Sequence, residues 1–407
     1  MRIALMTNNY KPFIGGVPIS IERLAKNLEQ QGHLVTIFAP AYQGYKDDEG
    51  EHIVRYSSFL QKFIGGIVLP NPFDPIIEAE FRKQSFDVIH VHHPMLIGRT
   101  AVWLSQKYHI PLVFTYHTRY EQYVKSYGKG LIPADRIMPY YLHTFLKHCH
   151  HIIAPTEGMK NYLSDELGYE EQLITVLPTG IDRKAFEVKP EVKEALREQY
   201  GAMDMPLFIS VSRMADEKNI TFLLKSVAEF KARYGKPFRL LMIGDGPGRT
   251  HYEALCSRLS LEEEVIFTGK MDNRYIAPYY ASADAFLFAS KTETQGIVIL
   301  EAFAGATPVI AVDATGVRDL VDNGKNGFLT GEDSESFAAH MQAVTEDVHL
   351  SKRLSYGALA TACEYTEEAV AKKAISIYNK VVAEYQSAAQ KNDKKVRDLE
   401  WNGNIIF

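Results

Sequence analysis

Two glutamates, Glu293 and Glu301, stand on either side of a glycine and an aliphatic run in the stretch KTETQGIVILEA (residues 291–302). Carboxylates are costly to bury, and Glu301 lies inside a segment that is apolar enough to be buried. Ser290 followed three residues later by Glu293 fits a capping box, which would mark the start of a helix and needs no function. That interpretation accounts for Glu293 and leaves Glu301 unexplained.

The middle of this stretch favours an anion site. Gly296, Ile297 and Val298 are predicted to form the first turn of a helix, whose free N–H groups and dipole would stabilise a diphosphate. Glu301 lies about one turn further on. A carboxylate there would repel a diphosphate, so a neutral group with donors, such as the two hydroxyls of a ribose, suits it better. Glu293 precedes the helix and could accept hydrogen bonds from the hydroxyls of a sugar. The alternative for Glu301 is a helix residue on a solvated side.

Two cations follow an apolar run at the start of the second half of the chain. Arg213 and Lys218 lie in SVSRMADEKNI (residues 210–220), after a predicted strand. Cations at the end of a strand suit a phosphate or a diphosphate, with arginine as a planar fork and lysine as a point charge. An ordinary solvated basic pair is the alternative.

A glycine pair follows the first predicted strand, in NNYKPFIGGVPIS (residues 8–20). Gly15 and Gly16 would let the backbone approach a ligand closely, and the helix that follows offers free N–H groups to an anion. The stretch lacks the G-x-G-x-x-G spacing of a dinucleotide site. The alternative is a flexible loop.

Histidines mark the ends of two predicted strands. His117 follows a strand in TYHTRYEQY (residues 115–123), and a lone histidine in such a place is more often structural than catalytic. The three histidines of HVHHP (residues 90–94) cannot all face one ion, because side chains alternate along a strand. The sequence has no Asp-x-Asp pair that could hold a divalent ion against a diphosphate. We therefore expect no metal and no cofactor.

Composition excludes several classes of protein. The 407 residues carry a net charge of −5, which argues against a nucleic-acid partner. Residues 1–185 hold 19 Lys and Arg against 18 Asp and Glu, together with 11 of the 14 histidines, so this half is mildly basic. Three scattered cysteines indicate neither a disulfide framework nor a zinc site, and they favour a reducing cytosol. No apolar run reaches the length of a membrane span, so any membrane association is expected to be peripheral.

Short apolar runs alternate with amphipathic ones along the first part of the chain, which predicts buried parallel strands connected by helices. The predicted strands are RIALMT (2–7), LVTIFAP (34–40), DVIHVHH (87–93), IPLVFTYH (110–117) and HIIAPT (151–156). The stretch ISIERLAKNLEQQG (19–32) has helical spacing and ends at Gly32, a plausible helix C-cap. This alternation favours a doubly wound α/β sheet.

The pattern restarts after LPTGIDRKAFEVKP (residues 177–190), which is the best candidate for a linker. The second set of predicted strands is PLFISVS (206–212), FRLLMIG (238–244), EVIFTG (264–269), DAFLFAS (284–290), TPVIAVD (307–313) and NGFLTG (326–331). We expect a Rossmann-like domain at 1–180, a second at 181–364, a helix at 365–390 that could pack back on the first, and a tail at 391–407. Ligands bind outside the carboxyl ends of strands in such sheets, so a cleft between the two domains is the expected site.

Taken together, these segments resemble glycosyltransferase family 4, the retaining sugar-nucleotide transferases of GT-B architecture. The resemblance covers the chain to about residue 390. Its motifs are GGV (15–17), TYHT (115–118), PTGID (178–182), SRMADEK (212–218), IGDGP (243–247), FTGKM (267–271) and the two glutamates with seven residues between them.

The resemblance implies a role for each matching position. Arg213 and Lys218 would neutralise the leaving diphosphate, and Gly16 with the amides near Gly296 would complete its cradle. Glu301 would hold the ribose and Glu293 the transferred sugar. The loop with Gly269 and Lys270 would lie near the base, and His117 would touch the sugar or its developing charge. His117 and Glu293 are thus the expected catalytic residues.

The acceptor is predicted from two stretches, GGVPISIERLA and TYHTRYEQYVKSYG, which resemble the branch that transfers glucose from UDP-glucose to diacylglycerol. The apolar stretch at 56–73 and the basic, histidine-containing stretch at 119–151 suit contact with an anionic membrane surface. Both could equally be ordinary surface and core. The second carries fewer lysines and arginines than a committed membrane-binding helix needs.

Three hypotheses follow. The first is a glucosyltransferase that makes monoglycosyl-diacylglycerol, cytoplasmic and peripheral to the inner face of the membrane. The second has the same fold with a soluble or polyprenyl-linked sugar acceptor in polysaccharide assembly. The third is a non-catalytic protein that binds nucleotide sugars, which the filled donor positions disfavour.

Overall fold

The computed structural model describes residues 1–47, 50, 52–61, 68–120 and 134–401. The chain forms two compact units. The N-terminal unit comprises Met1–Pro155, Lys160–Leu177 and the chain from Val370, and the C-terminal unit comprises Thr156–Met159 and Pro178–Ala369.

A parallel sheet of seven strands forms the centre of the N-terminal unit, in the order β3-β2-β1-β6-β7-β8-β9. The strands are β1 (Arg2–Met6), β2 (Leu34–Pro40), β3 (Ile53–Tyr56), β4 (Ser58–Leu60), β5 (Leu69–Pro70), β6 (Val88–Val91), β7 (Leu112–Thr115), β8 (His151–Ala154) and β9 (Ile174–Val176). β4 and β5 pair with each other in an antiparallel hairpin outside this sheet. Between β1 and β8, the described part of the unit contains the helices Gly16–Gln30, Pro75–Lys83, Ile97–Tyr108 and Ala134–Leu146.

The apolar runs of the sequence correspond to the buried strands in the middle of this sheet. All four residues of β6, β7 and β8 are buried, as expected for strands that are covered on both faces. The first helix ends at Gln30 with Gln31 as its C-cap, so the predicted C-cap Gly32 lies one position further on, where its φ of 81° gives the left-handed turn that terminates the helix. The sequence analysis missed β3 and β9, which are the two edges of the sheet. Both edge strands are only partly buried, so they lack the continuous apolar run on which the prediction depends.

The last helix, Glu367–Trp401, belongs for most of its length to the N-terminal unit. Its apolar residues, among them Ala374 and Tyr378, lie in one buried cluster with Leu28 and Val113. The helix therefore covers the first Rossmann-like unit from the far end of the sequence. It also continues beyond residue 391, where the sequence predicted a tail.

The C-terminal unit has a parallel sheet of six strands in the order β12-β11-β10-β13-β14-β15. These are β10 (Leu207–Val211), β11 (Arg239–Ile243), β12 (Val265–Gly269), β13 (Ala285–Phe288), β14 (Val309–Val312) and β15 (Gly327–Thr330). The helices are Pro190–Gln199, Ile220–Tyr234, Arg249–Arg258, Ala277–Ser282, Ile297–Ala304, Ser334–Glu346 and Val348–Glu364. Two apolar clusters, one on each face of this sheet, form the core of the unit.

Two short segments stand where the chain passes between the units. The helix Glu157–Asn161 continues as a single π-helical turn, Tyr162–Glu166. The predicted linker at 177–190 contains one 3-10 turn, Arg183–Phe186, and the next helix begins at Pro190. The buried amide of Gln295 pairs with both backbone groups of Thr179, at 2.8 and 3.1 Å, so the start of this linker is fixed to the C-terminal unit. Within the described residues, no helix combines the length and the apolar character needed to cross a bilayer.

Candidate active site

An ion pair lies at the carboxyl ends of the strands in the C-terminal unit. Lys218 ends the 3-10 turn Asp216–Lys218 after β10, and its Nζ lies 2.5 Å from Oε1 of Glu293, which follows β13. The two side chains keep 21% and 19% of their surface exposed. β10 and β13 are neighbours in the sheet, so residues that are 75 positions apart in sequence meet at one edge.

The charge of Glu293 is stabilised by its neighbours. Burial by itself would raise the pKa of this carboxyl, but the Lys218 ammonium, hydrogen bonds from Lys218 and Ser290, and the charge of Arg213 outweigh burial and hold the pKa below its ordinary value. Glu293 is therefore an ionised acceptor near neutral pH. An acceptor of this kind can orient the hydroxyls of a sugar.

Arg213 lies on the same loop as Lys218. It forms an ion pair with Glu217, and 39% of its side chain remains exposed. The structure therefore brings three of the predicted residues, Arg213, Lys218 and Glu293, within electrostatic reach of one another. An exposed guanidinium and a half-buried ammonium at strand ends are suited to neutralise a diphosphate.

The capping-box interpretation of Ser290 and Glu293 is wrong. The helix begins at Ile297, and its N-cap is Gly296, with a φ of 77° and no side-chain cap. The Ser290 hydroxyl instead donates to Oε1 of Glu293 at 2.8 Å. Because no side chain caps the helix, the first N–H groups near Gly296, Ile297 and Val298 can serve an anion.

Glu301 lies within this helix and is buried, with 2% of its surface exposed. The structure thus excludes the alternative in which it occupies a solvated side. The buried hydroxyl of Tyr280 donates to its Oε2 at 3.2 Å. A buried carboxylate held by a tyrosine is a directed acceptor, which suits a pair of ribose hydroxyls.

The loops after β10, β11 and β12 are joined by backbone hydrogen bonds. Gly244 donates its N–H to the carbonyl of Gly269 at 2.9 Å, and Met214 donates to the carbonyl of Asp245 at 3.0 Å. Gly244 has a φ of 135°, and a Cβ there would meet the carbonyl oxygen of Ser212 at 2.0 Å. Only glycine permits this approach of the loop after β11 to the loop of Arg213, and the loop with Gly269 and the exposed Lys270 follows β12, on the other side of β11.

Gly316 supports the loop that carries Glu293. Its φ is 79°, and a Cβ at this position would meet the carbonyl oxygen of Glu293 at 2.6 Å. The backbone of the loop therefore rests directly on this glycine. Sequence analysis did not single out Gly316.

We expect a Gly316→Ala variant to lose about 10²-fold in turnover, because a shift of about 1 Å in a positioning loop is enough for such a loss. Gly324→Ala is the matched control, since Gly324 has a φ of 73° and nothing within 4 Å of its Cβ position. Both variants pay the cost of a left-handed backbone, but only the first displaces Glu293. Equal turnover in the two variants, measured alongside thermal unfolding, would contradict the supporting role of Gly316.

Gly16 opens the first helix of the N-terminal unit. The helix Gly16–Gln30 has Gly15 as its N-cap and no side-chain cap, and Gly16 is exposed. The N-terminal unit therefore has a helix N-terminus without a side-chain cap at the position where the sequence predicts an anion site.

His117 follows β7 and contacts a second histidine. Its Nε2 lies 2.8 Å from Nδ1 of His92, and the two rings stack with their centroids 5.1 Å apart. Burial, together with the charges that neighbouring histidines would carry, holds the pKa of both His92 and His117 well below the ordinary value. Both rings are neutral near pH 7.

The other histidines of HVHHP have separate partners. His90 bonds Tyr378 of the last helix through Nδ1 at 2.7 Å and Thr115 through Nε2 at 2.6 Å. His93 accepts from the backbone N–H of Asn8 at 3.2 Å. No group of three metal-ligating side chains forms among the residues that the structure describes.

The buried histidines predict acid sensitivity of the N-terminal unit. Burial lowers the pKa of His90 to about 3 and of His93 to about 4, and burial with the charge of Lys380 lowers that of His151 to about 4. In the unfolded chain these groups bind protons from about pH 6.5 downward, so their contribution to stability is present above pH 6.5 and is lost as the pH falls towards 4, and towards 3 for His90. At pH 5, a histidine with a folded pKa of about 4 destabilises the fold by about 2 kcal/mol. Amide exchange corrected for intrinsic rates should show β6, β7 and β8 losing more protection between pH 7.5 and 5 than β10 and β13, and equal losses would contradict this prediction.

The sequence does not reveal the roles of four residues that support the site. Gly316 gives only a turn signal, and Tyr280 lies in a helix with no distinctive motif. The local pattern at Ser290 indicates a helix cap. His92 belongs to the histidine cluster for which no metal is expected, but alternation along the strand does place it on the same side as His90.

Two family models match the chain, and the boundary between them lies between the last strand of the first sheet and the first strand of the second. Residues 14–185 match Glycosyltransferase Family 4, and residues 192–360 match Glycosyl transferases group 1. The alpha-monoglucosyldiacylglycerol synthase of Streptococcus pneumoniae is 33% identical over 350 residues, which are 84% of this chain and 78% of that protein. The alpha-monoglucosyldiacylglycerol synthase of Acholeplasma laidlawii is 28% identical over 407 residues, 97% of this chain and 99% of that protein.

Solved structures share the fold. Sucrose-phosphate synthase of Thermosynechococcus elongatus superposes with a TM-score of 0.80 at 22% identity, over 94% of this chain and 99% of that one. HepE of Anabaena in complex with UDP superposes with a TM-score of 0.74 at 20% identity, over 93% and 100%. The expected GT-B fold of two Rossmann-like domains is thereby confirmed.

Proposed function

The chain belongs to glycosyltransferase family 4, and from this premise we propose that it transfers glucose from UDP-glucose to diacylglycerol with retention at the anomeric carbon. The product is a monoglycosyl-diacylglycerol. A cytoplasmic enzyme, peripheral on the inner face of the membrane, fits such an acceptor.

The observation that carries the proposal is the contact of Lys218 with Glu293 beside the uncapped helix that begins at Ile297. A diphosphate would be bound by the amides of that helix, by Lys218 and by Arg213. Glu293 would orient the hydroxyls of the sugar and Glu301 those of the ribose. Gly269 and Lys270 would contact the base. Gly16 and His117 would serve the same reaction from the N-terminal unit.

The reaction breaks the bond between the anomeric carbon and the diphosphate oxygen and forms a bond from that carbon to the acceptor hydroxyl oxygen. The electron pair of the broken bond leaves with UDP, and the proton of the acceptor hydroxyl passes to the departing phosphate oxygen when attack occurs on the same face. Charge develops on the diphosphate, so fixed cations and amide dipoles supply most of the stabilisation. No resident cofactor is required for this chemistry, and we propose donor binding without a metal.

The lipid acceptor is supported by the similarity to two alpha-monoglucosyldiacylglycerol synthases and by exposed apolar side chains in the N-terminal unit. Phe59 and Leu60 of the β4–β5 hairpin are 58% and 50% exposed, and Phe73 is 82% exposed. They lie in the stretch 56–73 that the sequence predicts to suit a membrane, of which residues 62–67 are outside the described part. Residues 121–133 of the second such stretch are also outside it.

The test is transfer of labelled sugar by the full chain in vesicles that contain diacylglycerol and an anionic lipid, with UDP-glucose, UDP-galactose and GDP-mannose as donors. We expect labelled monoglucosyl-diacylglycerol from UDP-glucose. Turnover of a soluble or polyprenyl-linked sugar without any transfer to lipid would overturn the lipid acceptor. Flotation with the same vesicles separates the two cases, because an enzyme with a soluble acceptor stays at the bottom of the gradient. Donor binding without transfer to any acceptor would favour a nucleotide-sugar-binding protein instead.

A further inference from the structure

His92 is a buried histidine that the proposed reaction does not use directly. It directly follows β6, with 1% of its surface exposed, and its Nδ1 is 2.8 Å from Nε2 of His117. Its other nitrogen, Nε2, is buried and has no hydrogen-bond partner among the described residues. The ring of His90 is only 4.2 Å away by centroids, but both nitrogens of His90 are already bonded, to Tyr378 and Thr115.

These contacts decide which histidine donates. Both rings are neutral, so each carries one proton, and only one proton can lie between Nδ1 of His92 and Nε2 of His117. If His117 donated, the proton of His92 would have to occupy its Nε2 and would be a buried N–H without an acceptor. If His92 donates, its Nε2 is a bare lone pair. An orphaned buried N–H is rarer and more costly than an under-satisfied acceptor.

We propose that His92 is a positioning residue for His117: it donates Nδ1–H to Nε2 of His117 and thereby holds the proton of His117 on Nδ1. The inference deepens the proposed function and rests on it for the catalytic role of His117. In this tautomer the proton of His117 lies on Nδ1, and its Nε2 lone pair is occupied by the N–H of His92. Nε2 of His117 therefore cannot take up the proton of the acceptor hydroxyl, and the positioning role of His92 is to keep that nitrogen from acting as a base.

The tautomer is measured on the folded full chain without any activity assay. Nitrogen-15 labelling of histidine, with His117→Asn to assign the signals, reports which nitrogen carries the proton at pH 7.5. We expect a protonated Nδ1 and an unprotonated Nε2 on His117, and the reverse on His92. A proton on Nε2 of His117, or exchange between tautomers, would overturn the inference. An inactive wild type would contradict the proposed function, and this measurement would still decide the tautomer.

Variants of His92 test positioning. His92→Asn keeps an N–H donor near the place of Nδ1, whereas His92→Leu removes it. We expect His92→Leu to lower kcat by about 10²-fold with little change in donor KM, and His92→Asn to restore most of the loss. The control is His151→Leu, because His151 is equally buried, lies two strands away on β8 and bonds Thr175 at 2.8 Å instead of His117. Equal losses in the leucine and asparagine variants, or in the control, would show a merely structural role. If the leucine variant fails to fold, the tautomer of the wild type remains the decisive result.

Discussion

A Lys218→Met variant is expected to lose about 10²–10³-fold in kcat, the usual cost of removing one preorganised charge donor from a developing anion. Lys218 contacts Glu293 in the free protein, and we propose that its charge also faces the diphosphate as that group departs. Negative charge grows on the leaving group during the step, so the loss should fall mainly on kcat and less on the KM for the donor. Steady-state kinetics with saturating acceptor separates the two constants.

The same variant should respond differently to pH. In the wild type, Lys218 is the strongest of the groups that offset burial and hold the pKa of Glu293 below its ordinary value. Without the ammonium, burial is opposed only by Ser290 and Arg213, so the pKa of Glu293 rises. When the solution is acidified, Glu293 of the variant becomes protonated at a higher pH than in the wild type, and the activity that depends on its ionised form is lost at that higher pH. The acidic limb of the profile of kcat/KM should therefore move upward in pH.

Lys291→Met is the matched control for Lys218→Met. Lys291 precedes Glu293 by two residues and forms an ion pair with Glu332, but half of its side chain is exposed. Its removal should change kcat less than about threefold, because exposed ion pairs contribute little. Retention of kcat in Lys218→Met to within about tenfold, with an unshifted acidic limb, would refute the assigned role.

The sequence predicts the sheets well because buried parallel strands must be apolar along their whole length. β2 was predicted with the bounds that the structure has, and each strand of the second sheet lies within its predicted run. The start of the helix at Ile297 also follows from sequence, since its N-cap Gly296 is a glycine and so supplies the left-handed φ of 77°.

Contacts between strand-end loops could not be read from the sequence. Lys218 reaches Glu293 only because β10 and β13 are neighbours, although β11 and β12 lie between them in the chain. Tyr280 and Glu301 lie on two different helices, so their hydrogen bond also depends on how the chain folds and not on a local sequence pattern. Local patterns determine where a side chain leaves its element, whereas the crossover order of the sheet determines what it meets. The capping box illustrates this limit. Ser290 and Glu293 do form a hydrogen bond with each other, but they cap no helix, because the helix begins at Ile297.

The second large effect is expected for substitution of Glu301, which should weaken binding of the donor. Glu301→Ala removes a buried charged acceptor that we propose bonds both ribose hydroxyls. Two charge-assisted hydrogen bonds account for about 3 kcal/mol or more, so donor affinity should fall by about 10²-fold or more. The ribose is remote from the breaking bond and is bound equally in the ground and transition states. Its loss should therefore raise the KM for the donor and change kcat little.

Tyr280→Phe tests the same interaction with the ribose by removing the hydroxyl that holds Glu301 in place. The hydroxyl of Tyr280 donates to Oε2 of Glu301 at 3.2 Å, and the substitution removes this hydrogen bond while the carboxylate itself is kept. We expect a rise of about five- to tenfold in the dissociation constant of UDP, the equivalent of one net hydrogen bond. Because UDP carries the ribose but no sugar, calorimetry with UDP isolates this contact from the role of Glu293.

The control for both variants is Glu264→Gln. Glu264 is also buried, at 8% exposure, and pairs with Lys231, but it precedes β12 and so lies at the amino edge of the sheet, opposite to the candidate site. Its substitution should alter stability and leave UDP affinity unchanged. If Glu301→Ala bound UDP as tightly as the wild type while its kcat collapsed, the carboxylate would belong to the sugar or the reacting centre instead of the ribose. The two glutamates of KTETQGIVILEA would then have to exchange their assigned roles. In that case the Glu293→Ala variant would raise the KM for the donor and change kcat little.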